Sequence, residues 1–319
     1  MTTVHFGGGT PNAIEPALMS DWIVTLRGRL AVGERTQWAV ETTSEDSEPQ
    51  QVERLLALGF RRLHVGVQTL RDDLRRRLGR SSLAVSVVSR LRLAMEMGMV
   101  VSVDMLYGLP GQKAGELVRD VERLIEAGIH GVSLYRLNFP PQRRRFLREF
   151  PGFEPCPLRA CVMLQAAERV LLRAGYRKNH FVHYAQPEDD NCYYRHAVRD
   201  EDLLGLGASA SGNIGPWEYR CSFYVQYVQH ADRRLPIASL ARSPSPPLLA
   251  RFAAALMAGT VEVASVPRQP LVVRLVERWL RAGLLVAEAE QLRVTAMGAW
   301  LLAAMLRELA GIGKSKDTS

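Results

Sequence analysis

Five places in this 319-residue chain carry residue types suited to holding a polar ligand. The first is FGGGTP (6–11), where three glycines follow a short apolar run. Glycines at a strand end serve a positive φ, or the close approach of something to the backbone. The others are Glu41, Gln68, Asp104 with LYGLPGQ around and after it, and LYRLNFPP (134–141). Taken singly, each reads as turn chemistry: Gly-Pro punctuates turns, and acidic residues cap them. Taken together, carboxylates, an amide and bare backbone form the rim of a polar binding site. Metal chemistry finds no such set. Cys156, Cys161, Cys192 and Cys221 match no zinc or iron–sulfur spacing and read as reduced structural thiols. His180 and His183 read as strand or loop residues rather than ligands.

These residues need elements to position them. β-rich runs stand at 4–6, 37–41, 62–68, 100–105 and 131–137, separated by amphipathic stretches at 15–30, 50–58, 85–97 and 115–127. Gly59, Gly98 and Gly128 fit helix C′ positions, so LLALGF, LAMEMGM and LIEAGI each read as helix, glycine, strand. Alternation with short links predicts a parallel sheet. Successive βα units of ~30 residues suggest a barrel or partial barrel. In such folds ligands sit at the C-terminal ends of the strands, which is where the five places fall.

The barrel pattern covers 1–150, and a Pro/Arg-rich connection follows it. Between 151 and 238 the chain reads as an extension, with a helix at 158–174, one strand in KNHFVHYA (178–185) and a Gly/Ser-rich loop at 201–215. That loop approaches a ligand or simply connects. From 239 to 319 helices are expected at 248–258, 270–282 and 296–310, with a hairpin before the last, in a winged-helix-like arrangement. The last helix is too apolar for reading a DNA groove.

The net charge of +8 sits in clusters such as RDDLRRRLGR (71–80) and PPQRRRFLRE (140–149). These read as solvated helix faces, with a basic mouth for an anionic ligand as the alternative. Aromatic residues are only 7% and no nucleic-acid motif accompanies the charge, so nucleic acid is not an expected partner. No apolar run reaches the ~18 residues of a membrane span, and no secretion signal is visible. The expected location is cytoplasmic.

FGGGTP, Glu41, GVQ (66–68), Arg80 and DMLYGLPGQ (104–112), in that order, resemble the radical S-adenosylmethionine enzymes of the oxygen-independent coproporphyrinogen III oxidase group. The group includes heme-chaperone-like and class C methyltransferase relatives. LGLGASASG (204–212) and the C-terminal LVERWLRAGLL and LRVTAMG resemble its second half and accessory domain. The resemblance implies an α/β fold: a partial (β/α)6-type barrel, an α+β extension and a winged-helix-like accessory domain. It implies that Gly8, Gly9 and Thr10 meet the methionyl ammonium of S-adenosylmethionine and Glu41 the ribose hydroxyls. Gln68 would bind the same ligand, Arg80 its carboxylate, and Asp104 the ribose or the rim. The implied substrate is tetrapyrrole-type and anionic, with Arg143–Arg145 facing its propionates or solvent. A flavodoxin or ferredoxin would donate the electron. The resemblance also implies a [4Fe–4S] cluster in a C-x3-C-x2-C loop after a first strand, upstream of GGGTP. This sequence has neither, so the barrel is expected to lack its first strand and the chain to bind no cluster. A chain shortened at its N-terminus is the reading, and a degenerate non-catalytic relative the alternative. Two other activities stay open: heme binding by a chaperone-like protein, and methyl transfer using a second S-adenosylmethionine near 204–215.

Overall fold

The structure, a computed structural model, describes residues 1–137, 148–179, 182–199, 201–230, 237–242 and 247–314. It forms two compact units, Met1–Tyr193 and Tyr194–Ser319.

In the first unit, β1 (Thr3–Phe6), β2 (Gln37–Thr43), β3 (Arg62–Gln68), β4 (Val100–Tyr107) and β5 (Gly131–Arg136) lie in that order, each parallel to the next. The parallel sheet expected from the alternation is present. Helices α1 (Pro16–Arg29), α2 (Pro49–Ala57), α3 (Asp72–Arg77), α4 (Ala84–Glu96) and α5 (Ala114–Glu126) connect the strands, and α6 (Pro157–Arg173) follows β5. KNHFVHYA is not one strand. It contributes to two short antiparallel ones, β6 (Arg177–Lys178) and β7 (His183–Ala185), which extend the sheet in the order β5-β7-β6.

Local chemistry explains the boundaries. Pro16, Pro49 and Pro157 open α1, α2 and α6, where a missing N–H costs nothing. Gly59, Gly98 and Gly128 close α2, α4 and α5 at φ +95°, +95° and +81°, the left-handed C′ geometry that glycine adopts without strain. The α5 start is tied by the Glu116 carboxylate, which accepts from the Lys113 N–H at 2.7 Å.

The two faces of the sheet differ. Val40, Leu63, Val65, Val67, Val101, Val103, Met105, Val132 and Leu134 are all buried and alternate onto the helix side. Each fully buried side chain of this kind contributes roughly 1.5–3 kcal/mol. The intervening positions are polar or glycine, in two cross-strand rows. One row is Glu41, His64, Ser102 and Gly131, and the next is Thr43, Gly66, Asp104 and Ser133. A parallel sheet is usually apolar on both faces, and here one face carries these polar rows instead.

The second unit begins within α7 (Cys192–Arg199). The Gly/Ser-rich stretch contains a strand, β8 (Ser211–Ile214), which pairs antiparallel with β9 (Trp217–Cys221). It is therefore more than a connecting loop. Past α8 (Tyr224–His230), β10 (Ile237–Arg242) completes the sheet β10-β9-β8. There follow α9 (Pro247–Ala258), β11 (Thr260–Glu262), α10 (Pro270–Arg281), β12 (Leu285–Glu288), β13 (Gln291–Val294) and α11 (Ala296–Lys314). The expected three helices and hairpin are present, and β11 adds a third strand to the wing. Among the described residues, no helix is long and apolar enough to cross a membrane.

Candidate functional site

The glycine loop leaves β1 at the C-terminal rim of the sheet. Gly8 and Gly9 adopt φ +76° and +71°, and a Cβ at either would meet nothing within 4 Å. Backbone conformation, not crowding, demands glycine there. Gly7 is the reverse case, since its Cβ would stand 2.8 Å from Glu41 Oε1. Glu41 fills that space: Oε2 accepts from the Gly8 N–H at 3.1 Å and Oε1 pairs with His5 Nε2 at 2.9 Å. Burial pushes the Glu41 carboxyl up, but the His5 ring and the Gly8 amide outweigh it and hold the group below its usual range. Its side chain stays 35% exposed, so a ligand can still reach it. The His5 ring stacks on Tyr193, with centroids 4.3 Å apart. Thr10 opens a single 3-10 turn at Pro11–Ala13. Asn12 anchors that turn to β2 by accepting from Thr42 Oγ1 at 2.6 Å.

Gln68 has φ +72°, rare for a side-chain-bearing residue, beside a register shift between Gly66 and Gln68. The bulge re-aims the side chain so that its amide nitrogen folds back over Gly66, where a Cβ would lie 2.9 Å from it and 3.7 Å from Arg80 Nη2. Gly66 is thus a floor on which Gln68 and Arg80 meet. Arg80 Nη1 pairs with Glu45 Oε2 at 2.8 Å, while Glu45 Oε1 takes Arg75 Nη2 at 3.0 Å. The expectation that Arg71–Arg80 is a solvated helix face is corrected at Arg75, which is 0% exposed. Its guanidinium donates to the Ser82, Val67 and Thr69 carbonyls at 2.7, 2.9 and 3.1 Å. Five fixed donors suit a loop with many unpaired carbonyls, and that need draws the charge inside.

Asp104 does not cap the following turn. Its Oδ1 pairs with His64 Nε2 at 2.6 Å, and the other ring nitrogen meets Ser102 Oγ at 2.6 Å. Ser102 Oγ accepts from Arg62 Nη2 at 2.9 Å, and Arg62 Nη1 pairs with Asp189. Asp189 Oδ2 also takes His183 Nε2 at 2.7 Å, and His183 Nδ1 meets Ser133 Oγ at 2.8 Å. Burial alone would raise the Asp189 carboxyl, but His183 and Arg62 bring it down to about 2, while burial lowers His183. Gly131 makes room, since a Cβ there would lie 1.7 Å from Asp189 Oδ2. Ser133, His183 and Asp189 have the composition of a hydrolytic triad, but the serine meets Nδ1 and all three are buried. No substrate reaches them. The sequence reading missed Arg62, His64, Ser102, Ser133 and Asp189, and gave His183 no site role. For Arg62, His64, Ser102 and Ser133 the signal was the polar residue at every second position of RLHVGVQ, VSVDM and GVSLY.

Glu41, Gln68, Arg80 and Asp104 thus come to one end and one face of the sheet beside Gly8 and Gly9, offering two carboxylates, an amide, a guanidinium and bare backbone. That set suits a zwitterion with hydroxyls. The cysteines do not suit an iron–sulfur cluster. Burial raises Cys161 and Cys221, which opposes the thiolate a cluster needs. Among the described residues, no group of three His, Cys, Asp or Glu side chains could hold a metal. His180 and Arg143–Arg145 lie outside the described residues.

The chain is similar to known proteins. The radical SAM superfamily matches residues 1–127. The chain is 26% identical over 249 residues to the oxygen-independent coproporphyrinogen III oxidase of Escherichia coli (strain K12), covering 73% of this chain and 54% of that one. It is 24% identical over 227 residues to the heme chaperone HemW of Lactococcus lactis, covering 69% of this chain and 59% of that one. The chain therefore spans somewhat over half the length of these relatives. The solved coproporphyrinogen III oxidase of Escherichia coli superposes with a TM-score of 0.83 at 22% identity, over 97% of this chain and 77% of that one. Residues 1–127 thus match the radical SAM superfamily, and the chain is similar in sequence and in fold to oxygen-independent coproporphyrinogen III oxidase.

Proposed function

We propose that the rim of the first unit binds S-adenosylmethionine and serves radical chemistry on a tetrapyrrole-type substrate. The observation that carries this is the convergence of Glu41, Gln68, Arg80 and Asp104 around Gly8 and Gly66. The loop amides and Thr10 take the methionyl amino end, and Arg80 takes the carboxylate with a planar fork. A ligand carboxylate would share or displace Glu45, which now occupies that fork. Glu41 and Asp104 accept from the ribose hydroxyls, and the Gln68 amide donates and accepts beside them. When bound, S-adenosylmethionine supplies the sulfonium on which the family's chemistry runs. The [4Fe–4S] cluster that the family implies finds no fitting ligand set here, so the residues of this chain are assigned to the nucleotide alone. An electron donor such as flavodoxin or ferredoxin, and a cytoplasmic location, belong to the same reading.

Calorimetric titration tests it. The chain should bind S-adenosylmethionine, with Arg80→Ala and Asp104→Asn each weakening binding about tenfold. No binding, or unchanged affinity in both variants, overturns the assignment. A second reading, heme handling, is favoured by the similarity to the heme chaperone. Stoichiometric retention of added heme without S-adenosylmethionine binding would support it.

A further inference from the structure

Asp104 is held by a chain of hydrogen bonds that starts from a donor-only guanidinium. Arginine has only donors, so Asp189 and Ser102 Oγ must both accept from Arg62. Arg62 fills one of the two lone pairs of Ser102 Oγ, which leaves its proton available to His64 Nδ1, at 2.6 Å. A His64 ring that accepts at Nδ1 carries its proton on Nε2, and that N–H points at Asp104 Oδ1, at 2.6 Å. Arg62 cannot reverse, because its counter-charge is fixed at its far side. The Arg62 and Asp189 side chains are 2% and 0% exposed. Asp189 is held in turn by His183, at 2.7 Å. The run ends in the open, since the Asp104 side chain is 25% exposed. Among the described residues only Oδ1 of Asp104 carries a hydrogen bond.

We propose that His64 is a positioning residue: locked in one tautomer through Asp189, Arg62 and Ser102, it fixes Oδ1 of Asp104 and turns Oδ2 to accept from a ribose hydroxyl of the bound nucleoside. This rests on the reading of the rim as a nucleoside site and adds a residue that touches no ligand. The buried chain sets direction rather than charge. A side chain that accepts from Ser102 and donates to Asp104 should replace His64, and one that does neither should not.

The test is titration of the full chain with adenosine and with 2′,3′-dideoxyadenosine, which differ only in the hydroxyls that Asp104 would meet. The unaltered protein should prefer adenosine. His64→Leu should weaken adenosine about tenfold and leave dideoxyadenosine unchanged. His64→Gln, whose amide can accept from Ser102 and donate to Asp104, should restore most of the loss. Ser102→Ala, near-isosteric and remote from ligand, should cost adenosine about threefold, which keeps the test available if His64→Leu fails to fold. A general loss of structure would weaken both nucleosides equally, and that result overturns the proposal. So does an unchanged preference in His64→Leu while Asp104→Asn abolishes it, which leaves the rim reading standing. If the unaltered protein shows no preference, the rim reading fails and the proposal with it.

Discussion

Replacing Asp189 with asparagine should cost the first unit about 3 kcal/mol, and the structure says why the figure is not larger. Asp189 accepts from Arg62 through one oxygen and from His183 through the other. Asparagine keeps one oxygen for Arg62. Its NH₂ can donate to His183 Nε2 if that ring moves its proton to Nδ1, where Ser133 Oγ waits at 2.8 Å. Both hydrogen bonds survive, and only the counter-charge of a guanidinium that is 2% exposed is lost. Breaking a buried pair by removing one partner costs roughly 3–5 kcal/mol, and preserved bonds place this case at the lower end. Asp189→Ala strands two donors as well, at roughly 1–3 kcal/mol each, which approaches the whole stability of a domain. Gly131→Ala should also disturb this pair without removing a charge, since its Cβ would stand 1.7 Å from Asp189 Oδ2 and push the carboxylate aside. Two units preclude a single two-state transition. The assay is therefore hydrogen exchange in urea, read on peptides covering β3 and β5. If both Asp189→Asn and Asp189→Ala fall within about 1 kcal/mol of the unaltered protein, the buried pair does not anchor this face and the reasoning fails.

Acid should destabilise the first unit in two windows. His183 folds with its pKa below the 6.5 of a free ring, so the unfolded chain takes the proton first and stability falls as pH drops through about 6.5. Asp189 folds with its pKa near 2 against a reference of 3.8, so its contribution is complete above pH 3.8 and is lost as pH falls towards 2. Exchange of β5 amides between pH 7 and 2 checks both, and a flat profile from 7 to 5 contradicts a buried neutral His183. Arg75→Met should cost about 3 kcal/mol by stranding its carbonyls and Glu45, while Arg76→Met, on the exposed side of the same helix, should cost less than about 0.5 kcal/mol. Hydrogen exchange in urea, read on peptides covering α3, separates the two variants, and equal losses would refute the distinction.

The alternation of β-rich runs and amphipathic stretches determined the parallel sheet, because strand and helix periods are local properties of side-chain order. Gly59, Gly98 and Gly128 ended three helices where expected, because a left-handed C′ residue is a local demand. Glu41, Gln68 and Asp104 were legible as lying towards one rim because each stands in the C-terminal half of a strand, in a fold whose strand ends gather on one side. Their partners were not. His64 and Asp104 lie 40 residues apart, and Arg62 and Asp189 127 apart. Nothing in either neighbourhood announces the other. Arg75 looks like its neighbours Arg76 and Arg77 until the loop carbonyls around it are folded into place. The left-handed Gln68 follows from a bulge that only pairing with β4 creates. Composition and period are written along the chain and decide where strands run and end. Which charges are buried, which tautomer a histidine keeps and where a carboxylate points depend on groups that meet only when distant strands share a face, and that the tertiary structure alone decided.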